Sequence, residues 1–251
     1  MQCDGQMRSD KPRAACDECN LLIERIPVQF PPIGYPCHIR MLYSRGVLLM
    51  TNPARTSKLP RAILFDMDGT LTAPILDFAL IKAEMAIGPG PILEALAELD
   101  DIRRGEAEAV LHRHEKIAAE NSRLNSGCQD LLNWLDASNI ATALITRNSI
   151  LSVQTVLKMH ELSIDIIITR EEGAFKPSPI PLQLACQRLG VGHDEAWMVG
   201  DGQHDIDAAR AAGIHAVWIS HGKARTFDAE PWLTVSDLPE LTGILKQLPK
   251  S

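Results

Sequence analysis

The chain has 251 residues, is 45% hydrophobic and carries a formal net charge of -7. That length suits one sizeable core, or a core with a small second domain. The acidic balance argues against nucleic acid as the main partner, and no apolar run is long enough for a membrane span. The opening Met-Gln-Cys-Asp-Gly lacks a basic start followed by an apolar stretch, so no secretory leader is expected. Six cysteines at this length do not make a disulfide scaffold, which points to a reducing, cytoplasmic setting.

In chain order, residues 1–59 come first and look unlike the rest. They hold four of the cysteines and the breakers Pro27, Pro31, Pro32, Gly34 and Pro36, and read as an irregular, poorly ordered extension that catalysis can do without. Cys16 and Cys19, with Cys3, Cys37 and His38, offer the ligands of a zinc knot. Their irregular spacing favours free thiols.

From residue 60 the pattern becomes regular. Continuous apolar runs at Arg61–Phe65, Ala141–Ile145, Ile164–Thr169, Ala196–Val199 and Ala216–Ile219 suit parallel strands buried on both faces. Helical patterns lie between them, one around Leu131, Leu132 and Leu135, one around Ile150, Val153, Val156 and Leu157, then Pro179–Leu189 and Asp205–Ala212, the last closed by Gly213. This alternation predicts an α/β fold: a Rossmann-like open parallel sheet of about five strands with helices on both faces. About 75 residues separate the first two strands, where a crossover needs only a dozen or more. The excess predicts a small all-α cap over residues 72–124, inserted into a core of residues 60–71 and 125–251. Its helices are expected at Phe78–Ile87, from Pro91 as first helical residue to Leu99, and along an apolar stripe of Ala107, Val110, Leu111, His114, Ile117 and Ala118.

The first strand ends in Asp66-Met67-Asp68-Gly69-Thr70. Two carboxylates two residues apart project to one side of a strand end and repel unless something positive lies between them. Hard oxygen ligands suit Mg²⁺. The second strand ends in Thr146-Arg147-Asn148-Ser149 before a helix, a natural phosphate site or, more plainly, an N-cap. The third is followed by Lys176-Pro177, and the fourth runs into Gly200-Asp201-Gly202-Gln203-His204-Asp205, two further carboxylates or a turn and a cap.

Each element alone is ordinary, but this order on successive strands resembles the haloacid dehalogenase-like hydrolase superfamily over residues 60–245. The helical insert is similar to that family's cap, and local similarity around Leu76-Asp77-Phe78 and His114-Glu115 looks like a phosphatase subgroup. The resemblance implies a Mg²⁺-dependent phosphatase, phosphoglycolate phosphatase-like, acting on a small phosphorylated metabolite. It implies Asp66 as nucleophile, forming an aspartyl phosphate, and Asp68 as general acid and base. Thr146, Arg147, Asn148 and Lys176 would bind phosphate. The metal would be held by Asp66, Asp201, Asp205 and Asp68, the last through its carbonyl. Gly202 departs from the serine of many relatives but removes no expected ligand. A phosphomutase of the β-phosphoglucomutase type or a pyrophosphatase is the alternative within the superfamily; a non-catalytic binding protein is disfavoured because no catalytic side chain is missing. Lys82, Arg103, Arg104, His112, Arg113, His114 and Glu115 are within the cap's reach of a substrate, and Lys82, Arg113 and His114 are the specificity candidates.

Overall fold

The computed structural model describes residues 58–249, so the reading of residues 1–57, including the zinc candidates, lies outside the described residues. Six strands form one parallel sheet: β1 (Ala62–Phe65), β2 (Ala141–Ile145), β3 (Ile166–Ile168), β4 (Ala196–Gly200), β5 (His215–Ile219) and β6 (Leu233–Val235), in the order β3-β2-β1-β4-β5-β6. The expected parallel α/β sheet is present, with one strand more than the sequence suggests. Leu233-Thr234-Val235 is three residues long and half exposed at the sheet edge, so it carries no continuous apolar run to read.

Alternating strand residues feed two cores. Ile63 and Phe65 of β1 join Leu144, Trp197, Val199 and Val217 on one face. There they pack against α4 (Cys128–Ala137), α5 (Ile150–Met159) and α8 (Leu238–Leu245). Ala62 and Leu64 join Ala143, Ile145 and Met198 on the other face, against α6 (Ile180–Leu189) and α7 (Gln203–Ala212). With both faces covered, each buried Leu, Ile or Val contributes roughly 1.5–3 kcal/mol. The central strands are therefore almost wholly apolar until their C-terminal ends; the exception is Thr142 of β2, whose buried hydroxyl donates to Asp165 at 3.0 Å.

The insert holds three helices: α1 (Phe78–Glu84), α2 (Ile92–Ala97) and α3 (Asp101–Glu120). Asp77 and Asp100 cap α1 and α3 by accepting from backbone N–H groups of the first turn. Pro91 is the extended N-cap of α2 rather than its first helical residue. Ile81, Met85, Ile92, Leu96, Ala107 and Leu111 make a third, separate apolar cluster. The apolar stripe of α3 is displaced from the expected one. The buried positions are Ala107, Leu111, Glu115 and Ala119, spaced by four, while Ile117 is 52% exposed. The cause is that α3 serves two bodies: Leu111 packs in the cap cluster and Ala119 in the core.

The two tethers of the insert lie side by side. Ala73 N–H donates to Arg123 O at 2.8 Å. Asn125 Nδ2 donates to the carbonyls of Thr70 and Thr72 at 2.8 and 3.1 Å. The insert thus leaves and re-enters within one turn of the Asp66–Asp68 strand end. No helix among the described residues is long and apolar enough to cross a membrane.

Candidate active site

The C-terminal ends of β1, β2 and β4 and the loop after β3 open into a cavity of about 430 Å³ between sheet and insert. Asp66, Asp68, Thr146, Arg147, Asn148, Lys176, Asp201 and Asp205 all line it. Residues 110 positions apart in sequence are in contact: Lys176 Nζ donates to Asp66 Oδ1 and to Asp205 Oδ1, each at 2.6 Å. Lys176 is 1% exposed and follows β3, just before a cis peptide bond to Pro177. Asp205 Oδ2 accepts from Gly202 N–H at 3.0 Å, which ties the carboxylate to the first turn of α7.

Carboxylate oxygens of Asp66, Asp201 and Asp205 lie within 4.8 Å of one another. Three acids share one lysine, so negative charge is in excess. Burial pushes the Asp66 carboxyl up to about 8, with Lys176 opposing and Asp205 reinforcing. Burial, with Asp205 beside it, lifts Asp201 to about 6. Burial would lower the Lys176 ammonium, but the Asp205 and Asp66 carboxylates outweigh it and hold it above its usual range. A hard divalent cation fits this donor set, because it supplies the positive charge the cluster lacks. The close packing leaves no room for side chains at two glycines, Gly69 and Gly200. A Cβ on Gly69, whose φ is +82°, would lie 2.2 Å from Asp201 Oδ2, and one on Gly200 would lie 2.3 Å from Asp205.

Asp68 stands apart from that cluster. Its Oδ2 accepts from Asn148 Nδ2 at 2.5 Å and its Oδ1 from Thr72 Oγ1 at 3.2 Å. Burial raises its pKa, partly offset by those two donors, and Glu115 adds to the rise. Asn148 therefore holds Asp68 rather than presenting its amide to the cavity alone. Thr146 is buried, and its Oγ1 accepts from Asn148 N–H at 3.1 Å.

A scan of family models matches residues 60–213 to the haloacid dehalogenase-like hydrolases. The chain belongs to that family. It is therefore a hydrolase, and its likeness to individual members is substantial. It is 30% identical over 216 residues to a phosphoglycolate phosphatase of Chromobacterium violaceum, covering 74% of this chain and 96% of the relative. It is 30% identical over 167 residues to a haloacid dehalogenase-like hydrolase domain-containing protein of Arabidopsis thaliana, covering 61% and 68%. A hydrolase from Pseudomonas syringae has the same fold with a TM-score of 0.66 at 21% identity, over 76% of this chain and 99% of that one.

Three of the expected residues are engaged with partners the sequence does not indicate, although Arg147 also lines the cavity. Arg147 was expected on phosphate, yet its guanidinium pairs with Glu94 of α2 at 2.6 and 3.1 Å, donates to Lys176 O and lies over the Phe175 ring. A planar fork matches a carboxylate in two bonds, and Glu94 is the carboxylate in reach. Arg113 and His114 were expected to face substrate. Both bond to Glu84 of α1 instead, His114 Nε2 at 3.0 Å, and neither lines the cavity. Glu115 is 3% exposed, lines the cavity and holds Arg170. Lys82 does line the cavity.

Sequence reasoning missed Arg225 and His204, which also line it. Arg225 sits on the loop between β5 and β6 with no motif around it, and only the fold brings it near α1. His204 lies inside the Asp201–Asp205 segment, where the two flanking acids mask its signal. Burial, then Arg147, lowers its pKa.

Proposed function

We propose that this hydrolase is a Mg²⁺-dependent phosphatase that cleaves a small phosphorylated metabolite through an aspartyl phosphate on Asp66. The observation that carries the reading is the pairing of a buried Lys176–Asp66 contact with a separately held Asp68 two residues on. Nucleophile and acid–base thus have different environments, as two-step phosphoryl transfer requires.

Asp66 attacks phosphorus as the ester P–O bond breaks, and Asp68 gives its proton to the departing alcohol oxygen. Asp68, now a carboxylate, takes a proton from water as that water attacks the aspartyl phosphate. The P–O bond to Asp66 breaks, inorganic phosphate leaves, and Asp68 is again protonated. The raised pKa of Asp68 supports its holding a proton before the first step. Thr146 and Lys176 orient and neutralise the phosphoryl oxygens. A Mg²⁺ held by Asp66, Asp201 and Asp205, with the Asp68 carbonyl, would supply charge neutralisation and polarise the phosphoryl group. Helices α1–α3 act as a cap that excludes water from the acyl phosphate.

Lys82 and Arg225 line the cavity, and neither forms an ion pair with another described residue. They favour a substrate with a second anionic group. The relatives named phosphoglycolate phosphatase make phosphoglycolate the first ester to try. The test is a panel of phosphate esters with and without Mg²⁺, on wild type and Asp66→Asn. Turnover should require Mg²⁺ and disappear in Asp66→Asn while the fold survives. Unchanged kinetics in that variant would overturn the assignment.

A further inference from the structure

Among the described residues, Lys, Arg, Asp and Glu side chains are buried at three positions: Lys176, Asp205 and Glu115. The first two belong to the carboxylate cluster. Glu115 does not; it comes from α3, and its charge is met by Arg170, whose side chain is 12% exposed. Arg170 opens the short helical turn after β3. One guanidinium nitrogen reaches Glu115 Oε1 and also donates to the carbonyl of Arg147 at 3.1 Å; the other donates to Glu115 Oε2 at 3.1 Å. The Arg170 backbone N–H points at the next carbonyl, Asn148 O, at 3.5 Å. Asn148, in turn, grips Asp68. Helix α3 and the acid–base residue are thus joined through three consecutive contacts: Glu115–Arg170, Arg170 to the Arg147–Asn148 loop, and Asn148–Asp68.

A pair of apolar residues would seat α3 on the core as well as an ion pair, without the cost of desolvating two charges. Apolar residues would not grip two successive loop carbonyls from a fixed direction. We infer that Glu115 and Arg170 are positioning residues: with α3 seated, they fix the Arg147–Asn148 loop so that Asn148 holds Asp68 where it meets the leaving oxygen. The inference rests on the phosphatase reading, in which Asp68 donates that proton.

The experiment compares two esters in the same sample of full-length protein: an alkyl phosphate, whose poor leaving group needs the proton, and p-nitrophenyl phosphate, which needs it little. The ratio of their kcat/KM values does not depend on how much protein is folded, so a destabilised variant remains informative. Glu115→Gln, Arg170→Lys and the double variant Glu115→Gln/Arg170→Gln should each lower the alkyl-to-aryl ratio about 10- to 100-fold, the scale of a misplaced reacting group. Arg170→Lys keeps the charge but cannot reach Glu115 and the Arg147 carbonyl as one planar fork. Parallel losses on both esters, or lost stability with an unchanged ratio, would overturn the inference. A wild type that hydrolyses neither ester, or an Asp68→Asn variant with an unchanged ratio, would instead overturn the proton-transfer reading beneath it.

Discussion

The candidate site at the sheet edge and the helical insert each contain a three-membered charge hub, and the two are near mirror images. In the core one cation, Lys176, lies between two carboxylates at 2.6 Å from each and is 1% exposed. In the cap one carboxylate, Glu84, lies between two basic side chains, Arg113 and His114, with 35% of its side chain exposed. Water screens the second hub and leaves little net energy in it. The first is screened far less, with Lys176 1% and Asp66 15% exposed, so removing one member leaves largely buried charge without a partner. On the proposed function the core hub would govern both fold and reaction, whereas the solvated hub of the insert would be replaceable.

Lys176→Met should give the largest effect. Breaking a buried pair costs roughly 3–5 kcal/mol, and loss of the phosphoryl-facing cation should remove about 10²–10³ of turnover. Urea unfolding and steady-state kinetics would measure both. Mg²⁺ should recover part of the stability, because it returns positive charge to Asp66 and Asp205. An unchanged unfolding midpoint would show that the buried pairs of Lys176 do not contribute to stability.

A smaller effect separates the hubs by pH. The folded Asp66 carboxyl is raised from its ordinary 3.8 to about 8. The folded state therefore binds the proton more tightly than the unfolded chain. The stability from this group is fully present below about pH 4 and is lost as pH rises through 8. Without metal, the difference in melting temperature between wild type and Asp66→Asn should shift against wild type from pH 5 to pH 9. Added Mg²⁺ should stabilise wild type more at pH 8.5 than at pH 6, since the ion displaces the proton. A Mg²⁺ effect independent of pH would show that Asp66 is ionised throughout.

The smallest effects belong to the cavity's outer wall. Lys82→Ala and Arg225→Ala should each lower kcat/KM for an ester with a second anion by about tenfold, roughly 1.4 kcal/mol, and barely alter aryl phosphate hydrolysis. Glu84→Gln should change neither activity nor substrate preference. A preference shift in Glu84→Gln as large as that in Lys82→Ala would erase the distinction between cavity wall and solvated hub.

The strands and catalytic positions were legible for one reason. A buried parallel strand is mostly apolar until it ends, so Asp66, Thr146 and Asp201 stand out against Ala62–Phe65, Ala141–Ile145 (polar only at Thr142) and Ala196–Gly200. Sequence alone determined the fold class, the order of those strand ends and the acids at them. Only the tertiary structure decided which charges meet. An arginine or glutamate on a polar helix face carries no periodic signature of its partner. Nothing local says that Glu115 turns inward to Arg170 while Arg113 and His114 turn to Glu84, or that Glu94 takes Arg147. Those choices depend on how α1, α2 and α3 lie over the sheet. Side chains with long, flexible stems and full charges settle on whichever counter-charge that packing brings within reach.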